Sequence, residues 1–391
     1  MPLEALHVLG PYRGVSGYEH HVREFVAELH NQNIAIQLTE TPEWSRTSLP
    51  GDMLDPWFDS LSQPVGARIA LHFCPPHQVR PVPKCLNVNY SVFEATRVPA
   101  HWVARNRTHD LLIVPTESSR MAWLNSGMPA TKIAVIPEGI NPRLFSGIVP
   151  PLRLQTASGE SVARYKTRFL NVSEIGPRKN LPGLLSAWLR ATHATDDAVL
   201  ILKVAIPSFG WDRVLIDQIE AAQAGVGKRL QEAAPLVIVT EIFADQEMPR
   251  LFASATHYIS MSHGEGWDQP MVEAGSSGLQ LIAPNHSAYT SYLDGSCAHL
   301  IPSREIPPDF GSDTELQALF SGSSWWQPDE VSAVELIRGA IDGSLEPKVS
   351  PRERFLTELS WERSTRKLVA LLDDLQQRKR PFWRIFRRGD H

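Results

Sequence analysis

Hydrophobic positions fall along this chain in two alternating rhythms. Short apolar runs at 5–10, 34–38, 68–73, 85–93, 111–114 and 133–136 read as buried strands. Between the first two, Val22, Phe25, Val26 and Leu29 repeat at i, i+3, i+4 and i+7, which predicts a helix from about Tyr18. Thr116, Ser118 or Ser119 caps a helix that stops near Gly127. A second series opens with strand 168–172 and continues at 199–204, 236–239, 258–260 and 281–283. Leu181, Leu184, Leu185, Trp188 and Leu189 mark one face of a helix whose first turn takes Pro182. Strand–helix alternation at this spacing predicts parallel sheets with helices on both faces. Residues 352–378 read as one long closing helix, with Leu368, Val369, Leu371, Leu372 and Leu375 as its stripe.

Two stretches break the rhythm. Residues 40–66, rich in Pro, Trp, Ser and Asp, read as a long irregular excursion. Residues 146–166 carry Gly147, Pro150, Pro151 and Gly159 and read as a linker. A chain of 391 residues exceeds one typical core, so two domains are expected, 1–150 and 151–355. A net charge of −5 gives no reason to expect a nucleic-acid partner. Three scattered cysteines argue against a disulfide framework and for a reducing, cytoplasmic compartment. The start of the chain lacks the pattern of a signal peptide, and no apolar run approaches the roughly 20 residues that span a bilayer.

Candidate chemistry concentrates at 258–284. An apolar run gives way to Ser262-His-Gly-Glu-Gly266, the pattern restarts at Pro270, and a second apolar run follows at 281–283. That is strand, glycine turn, helix, strand. Glu265 falls in the loop at the strand's carboxyl end, and Glu273 about one turn inside the helix. A crevice outside strand ends, beside a helix N-terminus, is where open α/β sheets bind anionic ligands. The loop from Gly10 to Gly17, with Gly14 and Ser16, suits a phosphate or sugar hydroxyl approaching backbone N–H groups, or is a plain tight turn. Its spacing is not that of the dinucleotide fingerprint. Glu94 follows a strand, placed for a site or for an ion pair with Arg97 or Arg105. His72, Cys74, His77 and Cys85 match no closed zinc motif, so no metal is expected.

Four stretches together resemble the retaining glycosyltransferases of family 4. His263-Gly-Glu-Gly-Trp-Asp-Gln-Pro-Met-Val-Glu273-Ala resembles their E-x7-E signature, EGFGLPxxEAM. Phe169-Leu-Asn-Val-Ser-Glu-Ile-Gly-Pro-Arg178-Lys179-Asn resembles the VGRLxPRKN phosphate loop, and Val135-Ile-Pro-Glu-Gly-Ile-Asn141-Pro-Arg-Leu-Phe145 resembles VIPNGVDxxxF. Gly10 to Gly17 sits where the family's N-terminal glycine loop belongs. The resemblance implies a GT-B fold: two Rossmann-like domains facing across a cleft, the closing helix 356–378 crossing back to the first. It implies a hexose moved from a GDP- or UDP-linked donor to a glycan or lipid-linked acceptor, as in polysaccharide biosynthesis, without a metal or other cofactor. Carried over, Glu265 contacts the donor sugar and Glu273 the ribose. Lys179 and Arg178 hold the diphosphate, and the amides of Gly266, Trp267, Asp268 and Gln269 approach sugar and phosphates. Gly14, Ser16 and Gly17 close from the other domain. Glu94 and His72 are the candidates for a cleft residue that the family often supplies as histidine.

The chain departs from the pattern at Glu174, Asp268, Glu138 and Asn141, where the family has Arg, Gly, Asn and Asp. Glu174 and Asp268 keep a rival alive, a non-catalytic, glycosyltransferase-like subunit that binds a glycan or a partner. The tail 379–391 belongs to a basic, aromatic stretch: six basic residues of 378–388 surround Phe382, Trp383, Ile385 and Phe386. It suits the inner face of an anionic membrane as well as it suits a solvated basic tail.

Overall fold

The computed structural model describes residues 2–41, 44, 47–205 and 211–379. Two six-stranded parallel sheets carry the chain. The first holds β1 (Ala5–Gly10), β2 (Ala35–Glu40), β3 (Ile69–Phe73), β4 (Leu86–Tyr90), β5 (Leu111–Val114) and β6 (Ile133–Val135), in the order 2-1-3-4-5-6. The second holds β7 (Thr167–Glu174), β8 (Ala198–Ala205), β9 (Leu236–Val239), β10 (His257–Ile259), β11 (Gln280–Pro284) and β12 (His299–Ile301), in the order 9-8-7-10-11-12. Counted from β7, that is the 3-2-1-4-5-6 order of a Rossmann sheet. Helices cover both faces, so β3 and β5 are buried along their whole length and read as continuous apolar runs.

The helix predicted from Tyr18 spans Gly17–Asn31. Its Val22, Phe25, Val26 and Leu29 are fully buried in the core of the first half. That core also contains Trp361, Leu368 and Leu372, from the far end of the sequence. They belong to the helix Trp361–Arg378, which packs on the first helix. The expected single helix over 352–378 is two, Arg352–Glu358 and Trp361–Arg378. Ser360 makes the break: its hydroxyl caps the second helix by accepting the Arg363 N–H at 3.3 Å. The break lets the chain cross between halves. Ile140 N–H donates to Leu359 C=O at 2.7 Å, and Trp361 N–H donates back to Ile140 C=O at 3.1 Å. Gly139 lies so close to this crossing that a Cβ there would run into the Trp361 backbone.

The stretch 146–166 is packed rather than free. Leu152 N–H reaches Arg250 C=O at 3.2 Å, and Val162 and Tyr165 are buried in the second half's core. The excursion 40–66 includes a short helix, Trp57–Ser60. The sequence reading has no counterpart for the edge strand β12, nor for the antiparallel hairpin β13 (Ser303–Ile306) and β14 (Trp325–Pro328). The hairpin's connecting segment sends Phe320 onto Phe93 of the first half, rings stacked 4.6 Å apart. The basic tail beyond Lys379 lies outside the described residues. Among those described, no helix is long and apolar enough to cross a membrane.

Because the obstacle at Gly139 is backbone, Gly139→Ala forces the crossing apart. A loss of about 2 kcal/mol is expected, of the size overpacking usually costs. A chemical-denaturation curve superimposable on the wild type's would refute the crossing as drawn.

Candidate functional site

In the second sheet, the strand order reverses between β7 and β10, the place where a crevice opens outside the strand ends. Both loops leaving these strands turn into that crevice. After β7 come Arg178 and Lys179, in a single helical turn ended by Asn180 at φ 51°. Asn180 fixes the turn in two directions: its side chain accepts the Gly183 N–H and donates to Met261 C=O at 2.9 Å. After β10 comes Ser262-His-Gly-Glu265. His263 N–H donates to Arg178 C=O at 2.8 Å, so the two loops are fastened backbone to backbone.

Their side chains meet at Glu265, which is 5% exposed. Lys179 Nζ donates to its Oε1 and Arg178 Nη1 to its Oε2, each at 2.7 Å. Arg178 Nη1 also donates to Gly264 C=O at 2.8 Å. Burial opposes ionisation of Glu265, yet Arg178 and Lys179 hold its carboxyl down at about 2. Burial likewise opposes charge on Arg178, and Glu265, Glu94 and Glu174 hold that guanidinium firmly protonated. Glu94 therefore pairs neither with Arg97 nor with Arg105. Its Oε1 lies 3.7 Å from Arg178 Nη2, across the two halves.

Glu273 is 6% exposed in the helix Gln269–Ser276. Its contact is a 3.5 Å approach from Gln269 Nε2, whose other reach is a 2.9 Å bond to Gly139 C=O of the first half. Burial, then Asp245 nearby, pushes its carboxyl up to about 8. Glu24 on the first helix is raised to about 8 for the same two reasons. Glu24, His20 and Asp245 hold their ligand atoms within 4.8 Å of one another, an arrangement common among acidic side chains without a bound ion.

Asp268 accounts for one departure from the family pattern. Its φ is 65°, the left-handed region where glycine is at ease and aspartate is tolerated. Its carboxylate is buried and accepts the Tyr289 hydroxyl at 2.7 Å. Burial first, and Glu265 second, raise it to about 6. Glu138, another departure, is buried against His21, with Oε1 3.1 Å from Nδ1. Asn141 caps the turn Pro142–Phe145 by accepting the Arg143 N–H. Gly264 and Gly266 are small because segment 92–94 of the first half presses on them. A Cβ on Gly264 would lie 2.5 Å from Glu94 C=O, and one on Gly266 would strike Val92.

The resulting cleft of about 460 Å³ is walled by both halves. Glu94, Arg178, Lys179, Glu265, Gly266, Trp267, Asp268, Gln269 and Glu273 all line it. Trp267 packs its indole on Tyr292, 5.1 Å between centroids, so the ring serves the core. From the glycine loop, Ser16 and Gly17 line the wall with Val15. Ser16 is the N-cap of a complete capping box with Glu19. Gly14 is not on the wall: a side chain there would collide with the Glu19 carboxylate, and its C=O accepts from buried Arg23 at 2.8 Å. His72 is away from the cleft as well, buried in the first sheet with Nε2 3.0 Å from Asn87. Sequence reasoning missed Tyr18, His20, His21, Trp44, Lys203 and Asp245, all on the cleft wall. For Lys203 a signal existed, a lone cation at the end of an apolar strand.

No protein-family model matches the chain, and no curated protein matches it in sequence. Solved structures do. Sucrose-phosphate synthase from Thermosynechococcus elongatus superposes with TM-score 0.60 at 15% identity, over 96% of this chain and 100% of its own. HepE of Anabaena, solved with UDP-glucose, superposes with TM-score 0.57 at 13% identity, over 95% and 99%. The lipopolysaccharide outer core galactosyltransferase WaaB gives 0.58 at 11%, over 94% and 99%. The fold is GT-B. Two Rossmann-like sheets, alternating helices and a final helix returned to the first half are what the GT-B architecture requires, and the GT-B cleft is the one walled by Glu265 and Arg178.

Two pH responses of opposite sign are expected. Glu265, depressed to about 2, contributes stability that is present above the ordinary carboxylate range and is lost as pH falls toward 2. Glu265→Gln leaves two cations without their partner and costs roughly 3 kcal/mol at neutral pH, a gap that narrows with acidification. Glu273, raised to about 8, favours the fold below the ordinary range and loses that contribution as pH rises through 8. Glu273→Gln should therefore match the wild-type melting temperature at pH 5 and exceed it at pH 8.5. Melting curves across pH check both, and parallel curves for all three proteins would refute the electrostatic reading.

Proposed function

We propose that this protein is a retaining glycosyltransferase of the family 4 type, moving a hexose from a UDP- or GDP-linked donor to a glycan or lipid-linked acceptor without a metal. The observation that carries the reading is the meeting of Glu265 with Arg178 and Lys179 at the switch point of the second sheet, with Glu273 in the same cleft. Resemblance of the fold to proteins solved with UDP and UDP-glucose supports a nucleotide sugar.

The chemistry follows from these residue types. Breaking the anomeric bond leaves negative charge on a diphosphate, and cations fixed in a water-poor site stabilise it at no cost of reorganisation. Arg178 and Lys179 supply that charge while already held in place by Glu265. Glu265 accepts hydroxyl hydrogen bonds from the donor sugar, and Glu273 accepts them from the ribose. Glu265 is not cast as a nucleophile: its two oxygens are engaged by cations, which suits departure and attack on the same face of the sugar. Glu94 stands opposite, on the acceptor side. There Tyr18 and Trp44, with rings 5.0 Å apart, offer an aromatic face of the kind sugars pack against. The basic aromatic tail would hold the enzyme at the cytoplasmic face of an anionic membrane.

Glu174 and Asp268 favour the second reading, a glycan- or partner-binding subunit without turnover. Isothermal titration with UDP and GDP separates the two. Binding of one of them is expected, and no binding of either at millimolar concentration would sink the transferase. Glu273→Ala should weaken nucleotide binding roughly tenfold, as loss of a hydrogen-bonding partner in a buried site does. Glu265→Ala should chiefly reduce turnover, by roughly a hundredfold. Wild-type kinetics in both variants would defeat the assignment.

A further inference from the structure

Besides Arg23, which donates to the Tyr12 and Gly14 carbonyls, and Arg178 and Lys179, the cleft wall contains a further cation that no motif accounts for. Lys203 sits near the carboxyl end of β8, in register with Val172 of β7 and Val239 of β9. It is 8% exposed and lines the cleft. Arg178 and Lys179 are matched by carboxylates, but Lys203 forms no ion pair among the described residues. Its hydrogen bond there is a 3.5 Å approach to the C=O of its neighbour Val204, at the limit of what counts as a bond. The Phe243 ring lies below it, 5.8 Å from ammonium to centroid. Burial lowers its proton affinity, with Glu241 acting against that from beyond bonding distance. An ammonium left this poorly satisfied in a buried wall is costly unless a ligand completes it.

The order of the strands says which part of a ligand that would be. Across the sheet, Glu265 follows β10, Arg178 and Lys179 follow the adjacent β7, Lys203 lies near the carboxyl end of β8, and Thr240 to Phe243 follow β9. Neighbouring strands are about 4.8 Å apart, so Lys203 stands one strand beyond the cations and roughly 10 Å across the sheet from the position of Glu265. If the sugar is at Glu265 and the diphosphate at Arg178 and Lys179, the nucleoside extends toward β8 and β9. Phe243 then offers its face to a base, and Lys203 its N–H groups to the base edge.

We propose that Lys203 selects the donor nucleotide by its base, donating to the keto oxygen O4 of uracil or O6 of guanine, the position that is an amino group in cytosine and adenine. An ammonium has three donors and no acceptor. It satisfies that keto oxygen, and it meets the amino group of cytosine or adenine at the same edge with donor against donor. This inference rests on the nucleotide-sugar reading of the cleft and adds to it the residue that would exclude CDP- and ADP-linked donors.

The test is titration of UDP, GDP, CDP and ADP into wild type, Lys203→Met and Lys203→Gln, with melting temperatures to confirm folding. The wild type should prefer UDP or GDP over CDP and ADP by at least tenfold. Lys203→Met should lose that factor for the preferred nucleotide and change CDP and ADP less than threefold. Lys203→Gln, which carries an acceptor as well as a donor, should regain part of the loss and bind CDP or ADP more tightly than Lys203→Met does. Equal weakening of all four nucleotides in Lys203→Met would place the ammonium on the diphosphate and overturn the proposal. So would a wild type indifferent to the base, or a keto preference that survives in Lys203→Met. A wild type that binds none of the four would remove the nucleotide-sugar reading together with this one.

Discussion

A buried carboxylate between two cations governs the architecture of this protein's cleft. Glu265 is almost without solvent, and alone it would cost several kcal/mol to keep charged there. Arg178 and Lys179 make the charge tolerable, and they can do so only if the loop after β7 lies against the loop after β10. The backbone bond from His263 to Arg178 and the side-chain bond from Asn180 to Met261 fasten those loops. Even Glu94 is recruited, because Arg178 has a second carboxylate within reach on the opposite wall. Electrostatics and topology thus require each other at the switch point.

Much of the fold is legible in the sequence because it follows from periodicity. Strands buried on both faces must be short apolar runs, and amphipathic helices must repeat near every fourth residue. Val22, Phe25, Val26 and Leu29 illustrate this: four residues chosen by spacing alone are all fully buried. What escaped depends on contacts between residues far apart in the chain. Ser360 is a residue type that caps helices, but serine also occurs inside them, and the local pattern does not decide between the two. Its break exists because Ile140, more than two hundred positions earlier, bonds to Leu359 and Trp361. The hairpin of β13 and β14 escaped for a like reason, since Phe320 and Trp325 are explained by a cluster in the first half.

The site divides along the same line. Glu265, Glu273, Arg178 and Lys179 lie in stretches whose spacing resembles a known signature, and the structure brings all four to one cleft. Gly14 and His72 show the limit of resemblance. The first is glycine for the sake of Glu19, the second is held within a sheet. Asp268 shows the converse. A residue that looks like a loss of glycine keeps the left-handed backbone and hands its carboxylate to Tyr289. His20, His21 and Asp245 were unreadable, because their meaning comes from contacts across elements: His20 with Asp245, His21 with Glu138, and Asp245 with Glu273.

The chain passes between its two halves twice, once through the packed stretch 146–166 and once at Leu359 to Trp361. A body joined at one point can swivel in any direction. A body joined at two can turn only about the line through them. The return of the final helix therefore does more than fill a core. It reduces the relative motion of the two walls to something close to a single rotation, so that whatever enters between Glu94 and Glu265 meets surfaces that approach along one path.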